Sequence, residues 1–235
     1  MHQDRPNDNC GEGDEALRRS ILEATLSEAA FSGFTEQTLM RGAAFAGLSY
    51  AEREAGAVHR LFPRGIADLL AFWSEEEDRQ MAEAFAALNP KPRGITGKIT
   101  WLIRQRIEQL DWNREAARRA AATMALPVHG GLAPRLVWNT ADTMWRTIED
   151  TSTDFNWYTK RLSLSTIYGA TLSRWFSDQG DAAADEPYAE TWAFLEARID
   201  NLMSFEKAKG RLARAAPDPE ALASLLGRMR YGGGR

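Results

Sequence analysis

Apolar residues recur along almost the whole chain at the three- and four-residue spacing of amphipathic helices. In the segment from Asp14 to Phe31, the stripe predicted to be buried is Leu17, Ile21, Leu22, Leu26 and Ala29. Near the other end, a single face repeats through Tyr188, Trp192, Leu195, Ile199 and Leu202. No segment shows the two-residue alternation that is typical of a β-strand. The pattern predicts an all-α bundle of about nine to ten helices.

Capping residues and glycine or proline breaks divide this pattern into separate helices. Thr35 and Ser49 are predicted to begin two short helices, the second of which covers 51–60, and a longer helix follows Pro63. The later helices are predicted at 96–110, 113–125, 134–149, 154–178 and 187–209.

The helix at 154–178 carries apolar residues on nearly all sides, and Thr151 stands in capping-box spacing with Asp154 at its start. One predicted face holds Phe155, Tyr158, Leu162, Leu172 and Phe176, and a second holds Trp157, Leu164, Ile167, Tyr168 and Trp175. A helix that is apolar on nearly all sides belongs inside a bundle or against another apolar object.

Composition narrows the class of protein. The chain has 235 residues and a net charge of −4, so no global field attracts it to nucleic acid or to an anionic membrane. Its single cysteine, Cys10, excludes an intramolecular disulfide and a cysteine-based metal site. No run approaches the ~18 apolar residues of a membrane span, and the acidic segment 1–13 lacks the features of a signal or transit peptide.

The segment 34–73 contains a helix, a glycine turn and a second short helix, and it resembles the helix-turn-helix of TetR-type regulators. Its four arginines are matched by four acidic residues, and Glu52 and Glu54 lie on the helix that would enter DNA. Because phosphate contacts need a surplus of cations, nucleic acid is not an expected partner. A TetR-type transcriptional regulator that reads DNA with 49–60 remains the alternative.

Catalytic and metal sites are not expected. The three histidines form no H-E-x-x-H motif and no Glu-x-x-His pair of a di-iron bundle. No nucleophile elbow and no phosphate-binding glycine motif is present, so the sequence indicates a protein that is not an enzyme.

Large side chains are abundant after residue 100, where seven of the eight tryptophans lie together with Met124, Met144 and Met203. They either fill the core completely or surround an apolar chamber.

The C-terminal segment 205–235 carries a charge of +4, and its predicted amphipathic helix presents Leu222, Leu225, Leu226, Arg228, Met229 and Arg230. This helix either meets an anionic membrane or docks on the protein or a partner.

The chain is predicted to divide into four regions: a disordered leader (1–13), a helix-turn-helix-like subdomain (14–73), a helical lipid-binding and dimerisation domain (74–210) and a flexible basic arm (211–235).

Three stretches carry a resemblance to a known family: 142–145 (DTMW), 152–161 (STDFNWYTKR) and 191–200 (TWAFLEARID). From about Phe34 to Asn201 the chain resembles the ninth accessory protein of ubiquinone (coenzyme Q) biosynthesis. The resemblance implies a TetR-like fold with a degenerate helix-turn-helix, which binds lipid instead of DNA. It also implies a homodimer and a C-terminal helix at the membrane. Lys160, where the family usually has arginine, and a shortened tail depart from the family pattern.

That family binds isoprenoid quinone intermediates and assists the di-iron hydroxylase of demethoxyubiquinone, so no cofactor is expected but a bound isoprenoid quinone or phospholipid is. The resemblance implies that Asp142, Met144, Asp154 and Trp157 contact the hydroxylase. The residues predicted to enclose the lipid are Trp101, Leu102, Met124, Trp138, Tyr158, Leu162 and Leu195. A bacterial member would be cytoplasmic and peripherally attached to the inner face of the membrane. A structural dimerisation partner with a filled core is the third alternative.

Overall fold

The computed structural model of the protein describes residues 8–150, 154–181 and 183–215. Ten α-helices lie in these ranges: α1 (Asp8–Ser32), α2 (Glu36–Phe45), α3 (Tyr50–Glu54), α4 (Ala57–Leu61), α5 (Ile66–Ala87), α6 (Gly94–Glu108), α7 (Arg114–Met124), α8 (Leu132–Thr147), α9 (Asp154–Ser177) and α10 (Ala189–Ala215). The same ranges contain no strand, so the all-α prediction is confirmed. The TetR-like arrangement stays a prediction.

Two predicted helix starts are confirmed by their hydrogen bonds. The backbone N–H of Thr38 donates to the hydroxyl oxygen of Thr35 at 3.1 Å, which caps α2. At α3, Ser49 and Glu52 form a reciprocal capping box, in which the Ser49 N–H donates to the Glu52 carboxylate at 2.8 Å. This contact explains the presence of Glu52 on α3, because it satisfies free groups at the helix start.

Three predicted boundaries differ from the structure. The helix expected at 51–60 is divided into α3 and α4 at Gly56, whose φ of 82° lies in the left-handed region that glycine tolerates. Helix α1 begins at Asp8, within the segment predicted as a disordered leader. Helix α10 continues to Ala215, past the predicted start of the flexible arm at residue 211.

Cations of the helix-turn-helix-like segment are engaged within the chain. Arg41 forms an ion pair with Glu28 of α1 at 2.6 Å. The side chain of Arg64 donates to the Asp68 carboxylate at 2.8 Å. Since these charges are already neutralised, the structure adds no support to the DNA-binding alternative.

Helix α8 lies at the centre of the helices that form the second half of the bundle. It packs against α5 and α9 along most of its length and also contacts α6 and α7. At the other end of the chain, α1 packs on α2 and α7. One compact unit ends at Leu195, and every site described below lies within it.

The buried face of α9 is the second of the two predicted faces. Leu164, Ile167, Tyr168 and Trp175 are buried, as is Arg161 on the same side. In the other predicted stripe, Tyr158 and Leu162 are 62% and 60% exposed, so their assignment to the core is wrong. The reason is that α8 presents polar groups that pair with Arg161, and these orient α9.

Some predictions lie outside the described residues. They concern the Thr151 cap, the side chain of Asp154 and the membrane-binding residues Leu222, Leu225, Leu226, Arg228, Met229 and Arg230. Within the described helices, none combines the length and the apolar character needed to cross a membrane.

Gly42 marks the close contact between α1 and α2. A Cβ atom at this position would overlap the side-chain oxygen of Thr25 and approach its backbone nitrogen to 3.0 Å.

We therefore expect Gly42→Ala to lower the free energy of unfolding by about 1–3 kcal/mol in urea denaturation, because overpacking forces the helices apart. The matched control is Gly13→Ala in α1, where an added Cβ meets nothing within 4 Å. It should instead stabilise the protein by about 0.5–1 kcal/mol. Equal effects of the two substitutions would contradict the contact.

Candidate functional site: an internal cavity and an aromatic patch

A cavity of about 300 Å³ lies among α5, α6, α7, α8 and α9. Several small residues line it, among them Ala117, Ala120 and Ala121 of α7 and Gly169 of α9. At Gly169 an added Cβ would meet only the Val137 side chain, at 3.8 Å. The space therefore exists where side chains are short, and its volume falls at the lower end of small-molecule sites.

One end of the cavity is polar and rests on a buried ion pair. The Arg106 Nε atom donates to Asp78 Oδ1 at 2.7 Å, and the Thr140 hydroxyl donates to the same carboxylate at 2.9 Å. Burial raises the pKa of the Asp78 carboxyl, and the Arg106 charge opposes this shift. Burial also raises the pKa of the Tyr168 hydroxyl. These groups place fixed polar atoms beside an otherwise apolar wall.

Glu77 completes the polar end of the cavity. The indole N–H of Trp73 donates to Glu77 Oε1 at 2.9 Å. The second carboxylate oxygen, Oε2, has no hydrogen-bond partner, and neither does Nη1 of Arg106. Both residues line the cavity, although these two atoms themselves have almost no accessible surface.

A second feature is the aromatic patch, formed by Trp138 of α8 with Trp157 and Tyr158 of α9. The ring centroids of Trp138 and Trp157 are 6.0 Å apart, and those of Trp157 and Tyr158 are 4.8 Å apart in an edge-on arrangement. Tyr158 is largely exposed, as is Leu162 one turn further along α9. An exposed aromatic cluster of this kind is typical of a protein-binding surface.

The buried side chain of Arg161 packs against Trp157 of the aromatic patch. Its side chain is only 3% exposed, and its Nε lies 2.5 Å from Asp142 Oδ1 on α8. The guanidinium carbon lies 3.9 Å from the centre of the Trp157 ring, in cation–π geometry. Arg146 also pairs with Asp142, at 2.9 Å, from the solvent side. Helices α8 and α9 are therefore joined by a charged contact that also orients Trp157.

A family model described as COQ9 matches residues 131–206. The ubiquinone biosynthesis protein COQ9, mitochondrial, of Drosophila melanogaster is 28% identical over 199 residues, which cover 82% of this chain and 57% of the relative. The Homo sapiens protein of the same name is 27% identical over 205 residues, which cover 82% of this chain and 59% of the relative. Residues 131–206 therefore form a COQ9 domain, and the chain is similar to COQ9 proteins over most of its length.

The chain spans less than two thirds of the length of these two relatives. The matched range covers α8, α9 and part of α10. It therefore contains the whole aromatic patch and the walls that α8 and α9 contribute to the cavity.

The structure does not bring the seven predicted lipid-binding residues together. Met124 lines the cavity. Leu102 and Leu195 are fully buried in the core, while the ring of Trp101 packs 5.6 Å from that of Phe85. Trp138, Tyr158 and Leu162 lie at or beside the aromatic patch. Six of the seven therefore lie outside the cavity wall.

The predicted partner surface of the COQ9 domain is partly corrected. Trp157 is half-buried in the aromatic patch, and Asp142 is partly exposed beside it with its carboxylate paired to Arg161. Met144 is 0% exposed, so it packs inside the bundle and offers no surface to a partner. The side chain of Asp154 lies outside the described residues.

Sequence reasoning missed Glu77, Arg106 and Tyr168 at the polar end of the cavity. A signal for two of them exists, because Glu77 lies four residues from both Trp73 and Met81 on the buried face of α5, and Arg106 lies between Ile103 and Ile107 on the buried face of α6. Burying a charged side chain costs free energy, so a charged residue on the buried face of a helix marks a paired or functional group.

In the described part of the chain, no cluster of three or more His, Cys, Asp or Glu side chains is arranged to hold a metal ion.

Proposed function

We propose that this protein acts in ubiquinone biosynthesis as a non-enzymatic lipid-binding protein. In this proposal the cavity binds an isoprenoid quinone intermediate, and the aromatic patch contacts the di-iron hydroxylase of demethoxyubiquinone. The observation that carries the proposal is the cavity of about 300 Å³ between apolar walls and a polar end. Its mixed lining suits a ligand with an oxygen-bearing ring and a hydrocarbon substituent.

The lipid role is tested by extracting the full chain, purified under gentle conditions, and analysing the extract by mass spectrometry. We expect the wild-type protein to carry an isoprenoid lipid. The variant Ala120→Phe should lose most of it, because the added ring occupies the cavity that Ala120 lines. Ala122→Phe is the matched control, since Ala122 is exposed on α7. If no lipid were recovered from the wild-type protein, or if both variants retained it, the proposal would fail.

The partner role depends on Trp157. We expect Trp157→Ala to weaken binding to the hydroxylase by about 2 kcal/mol or more, as for a central aromatic residue of an interface. Affinity is measured by titration of the two purified proteins, and thermal unfolding reports on the fold. Trp112→Ala is the control, because Trp112 is 96% exposed and lies outside the COQ9 domain. A large loss of thermal stability with Trp157→Ala would show instead that this residue serves the core.

The homodimer, the membrane contact of the C-terminal helix and the location at the inner face of a membrane stay predictions. The two relatives compared above are both named as mitochondrial proteins.

A further inference from the structure

The connection between α5 and α6 carries cations and no acidic residue. From 84 to 107 the sequence contains five lysine and arginine residues and neither aspartate nor glutamate, although the whole chain has a net charge of −4. Two of the five, Arg104 and Arg106, are paired with acidic side chains. The other three form no ion pair with any residue that the structure describes, and they are Lys91, Arg93 and Lys98. The basic segment, defined as residues 91–98, therefore keeps its positive charge.

Contacts with α5 and α6 hold the basic segment in place. The Lys91 ammonium lies 5.0 Å from the centre of the Phe85 ring near the end of α5, and this ring packs 5.6 Å from that of Trp101 on α6. A Cβ atom at Gly97 would lie only 3.5 Å from Cβ of Pro92, so the chain before α6 folds back on its first turn. The fold therefore brings the charges together before any partner binds, and binding through them costs little conformational entropy.

An exposed apolar side chain lies among these cations. Ile95 is 56% exposed in the first turn of α6, and it follows Arg93 by two residues. Lys98 is three residues further along the helix, so it lies on the same side as Ile95. A single exposed apolar residue is ordinary on a protein surface. Its position between unpaired cations indicates a partner that is both anionic and apolar.

The combination of charge and apolar surface distinguishes two kinds of partner. An acidic protein surface would neutralise the cations but would give the Ile95 side chain no apolar environment. An anionic bilayer presents phosphates directly above acyl chains, so basic side chains meet the phosphates while an apolar side chain enters the boundary beneath them. The arrangement in the basic segment favours the bilayer.

We propose that the basic segment is a contact site for an anionic membrane surface. Lys91, Arg93 and Lys98 lie at the level of the phosphates, and Ile95 enters the edge of the acyl region. The site belongs to the unit that ends at Leu195, so it is a different part of the chain from the predicted membrane helix near the C-terminus. It is also independent of what the cavity binds, since none of its four side chains lines the cavity.

Flotation of the full chain with two kinds of vesicle tests the site. The vesicles consist of phosphatidylcholine alone or of phosphatidylcholine mixed with the anionic lipid phosphatidylglycerol. For the variant Lys91→Gln/Arg93→Gln/Lys98→Gln we expect the partition coefficient on anionic vesicles to fall by about tenfold to a hundredfold, because each cation near such a surface contributes about fivefold. The matched control is Arg41→Gln/Arg60→Gln/Arg118→Gln, which removes three exposed cations from other helices and gives the same net charge. It should keep most of the affinity, since charges beyond about 10 Å from the lipid are screened by salt.

A fluorescent label at position 95 shows which part of the chain meets the lipid. Cys10 is the only cysteine, so Cys10→Ser/Ile95→Cys carries one thiol for an environment-sensitive fluorophore. We expect its emission to shift to the blue on anionic vesicles and to be quenched by brominated acyl chains, because position 95 enters the bilayer boundary. The same label in Cys10→Ser/Val128→Cys should show neither effect, since Val128 is 81% exposed between α7 and α8. This measurement does not depend on the stability of the triple variant.

Each outcome either supports or overturns the membrane site. Loss of anionic-vesicle binding in the triple variant of the basic segment but not in its control, together with a blue shift at position 95, would support it. If the wild-type protein bound neither kind of vesicle, or if the two triple variants lost affinity equally, the basic segment would not be a membrane contact. If the protein floated with anionic vesicles while the label at position 95 stayed in water, another part of the chain would carry the attachment. None of these failures affects the proposed lipid-binding function, which is measured separately by lipid extraction.

Discussion

Replacing Asp78 by alanine is expected to lower the free energy of unfolding by about 3–5 kcal/mol, because it leaves the buried Arg106 guanidinium without its carboxylate. The two charged groups lie 2.7 Å apart and are both almost completely buried. The Thr140 hydroxyl, which donates to Asp78, loses its acceptor as well. Urea denaturation monitored by tryptophan fluorescence measures the change.

Two comparisons test whether the buried charge is the cause. Glu75→Ala removes an exposed carboxylate from the same helix and should change stability by less than about 0.5 kcal/mol. The double variant Asp78→Leu/Arg106→Met replaces the whole pair with apolar side chains and should recover much of the loss. If the double variant were as unstable as Asp78→Ala, packing around Asp78 and not the unpaired charge would explain the effect.

Local signals made the helix starts predictable from the sequence. Thr35 and the Ser49–Glu52 pair act through hydrogen bonds to residues three positions away, so neighbouring residues alone determine them. Gly56 could not be interpreted in the same way. A glycine inside a helical pattern is tolerated in many helices, and only its left-handed backbone shows that α3 and α4 are separate.

The cavity illustrates why a site built from several helices is difficult to predict. The abundance of tryptophan and methionine is compatible with a filled core or with a chamber, and the structure places Trp101 half-buried against Phe85 and Leu195 fully buried. Its lining includes the alanines of α7 and Gly169 of α9, which are brought to one cavity only by the packing of several helices. An alanine-rich helix is also a strong helix former, so its composition alone gives no reason to expect a cavity.

The position of the aromatic patch is equally difficult to predict, because it depends on which face of helix α9 is buried. Apolar residues on both of its faces make either face suitable for burial, so the pattern leaves the choice open. The choice depends on Asp142 of α8, which pairs with Arg161 and thereby buries the side of α9 that carries Leu164. Tyr158 and Leu162 are left exposed as a consequence, beside the half-buried Trp157.

Arg161→Ala is expected to destabilise the protein by about 3 kcal/mol, since it removes a desolvated cation–π contact worth about 2 kcal/mol and a hydrogen bond between charged groups. The guanidinium carbon lies 3.9 Å from the centre of the Trp157 ring, and Nε lies 2.5 Å from Asp142. Loss of both contacts removes the support beneath the aromatic patch. We therefore also expect weaker hydroxylase binding, although Arg161 itself is only 3% exposed.

Arg146→Ala is the matched control, because Arg146 pairs with the same Asp142 carboxylate but is 69% exposed. An exposed ion pair contributes about 0–1 kcal/mol, so thermal and urea unfolding should change little. Arg161→Lys should recover only part of the lost stability, since an ammonium group cannot reproduce the planar stacking on Trp157. If Arg146→Ala cost as much as Arg161→Ala, the carboxylate and not the Trp157 contact would be the important partner. If Arg161→Lys restored both stability and hydroxylase affinity completely, charge alone would account for the orientation of the patch.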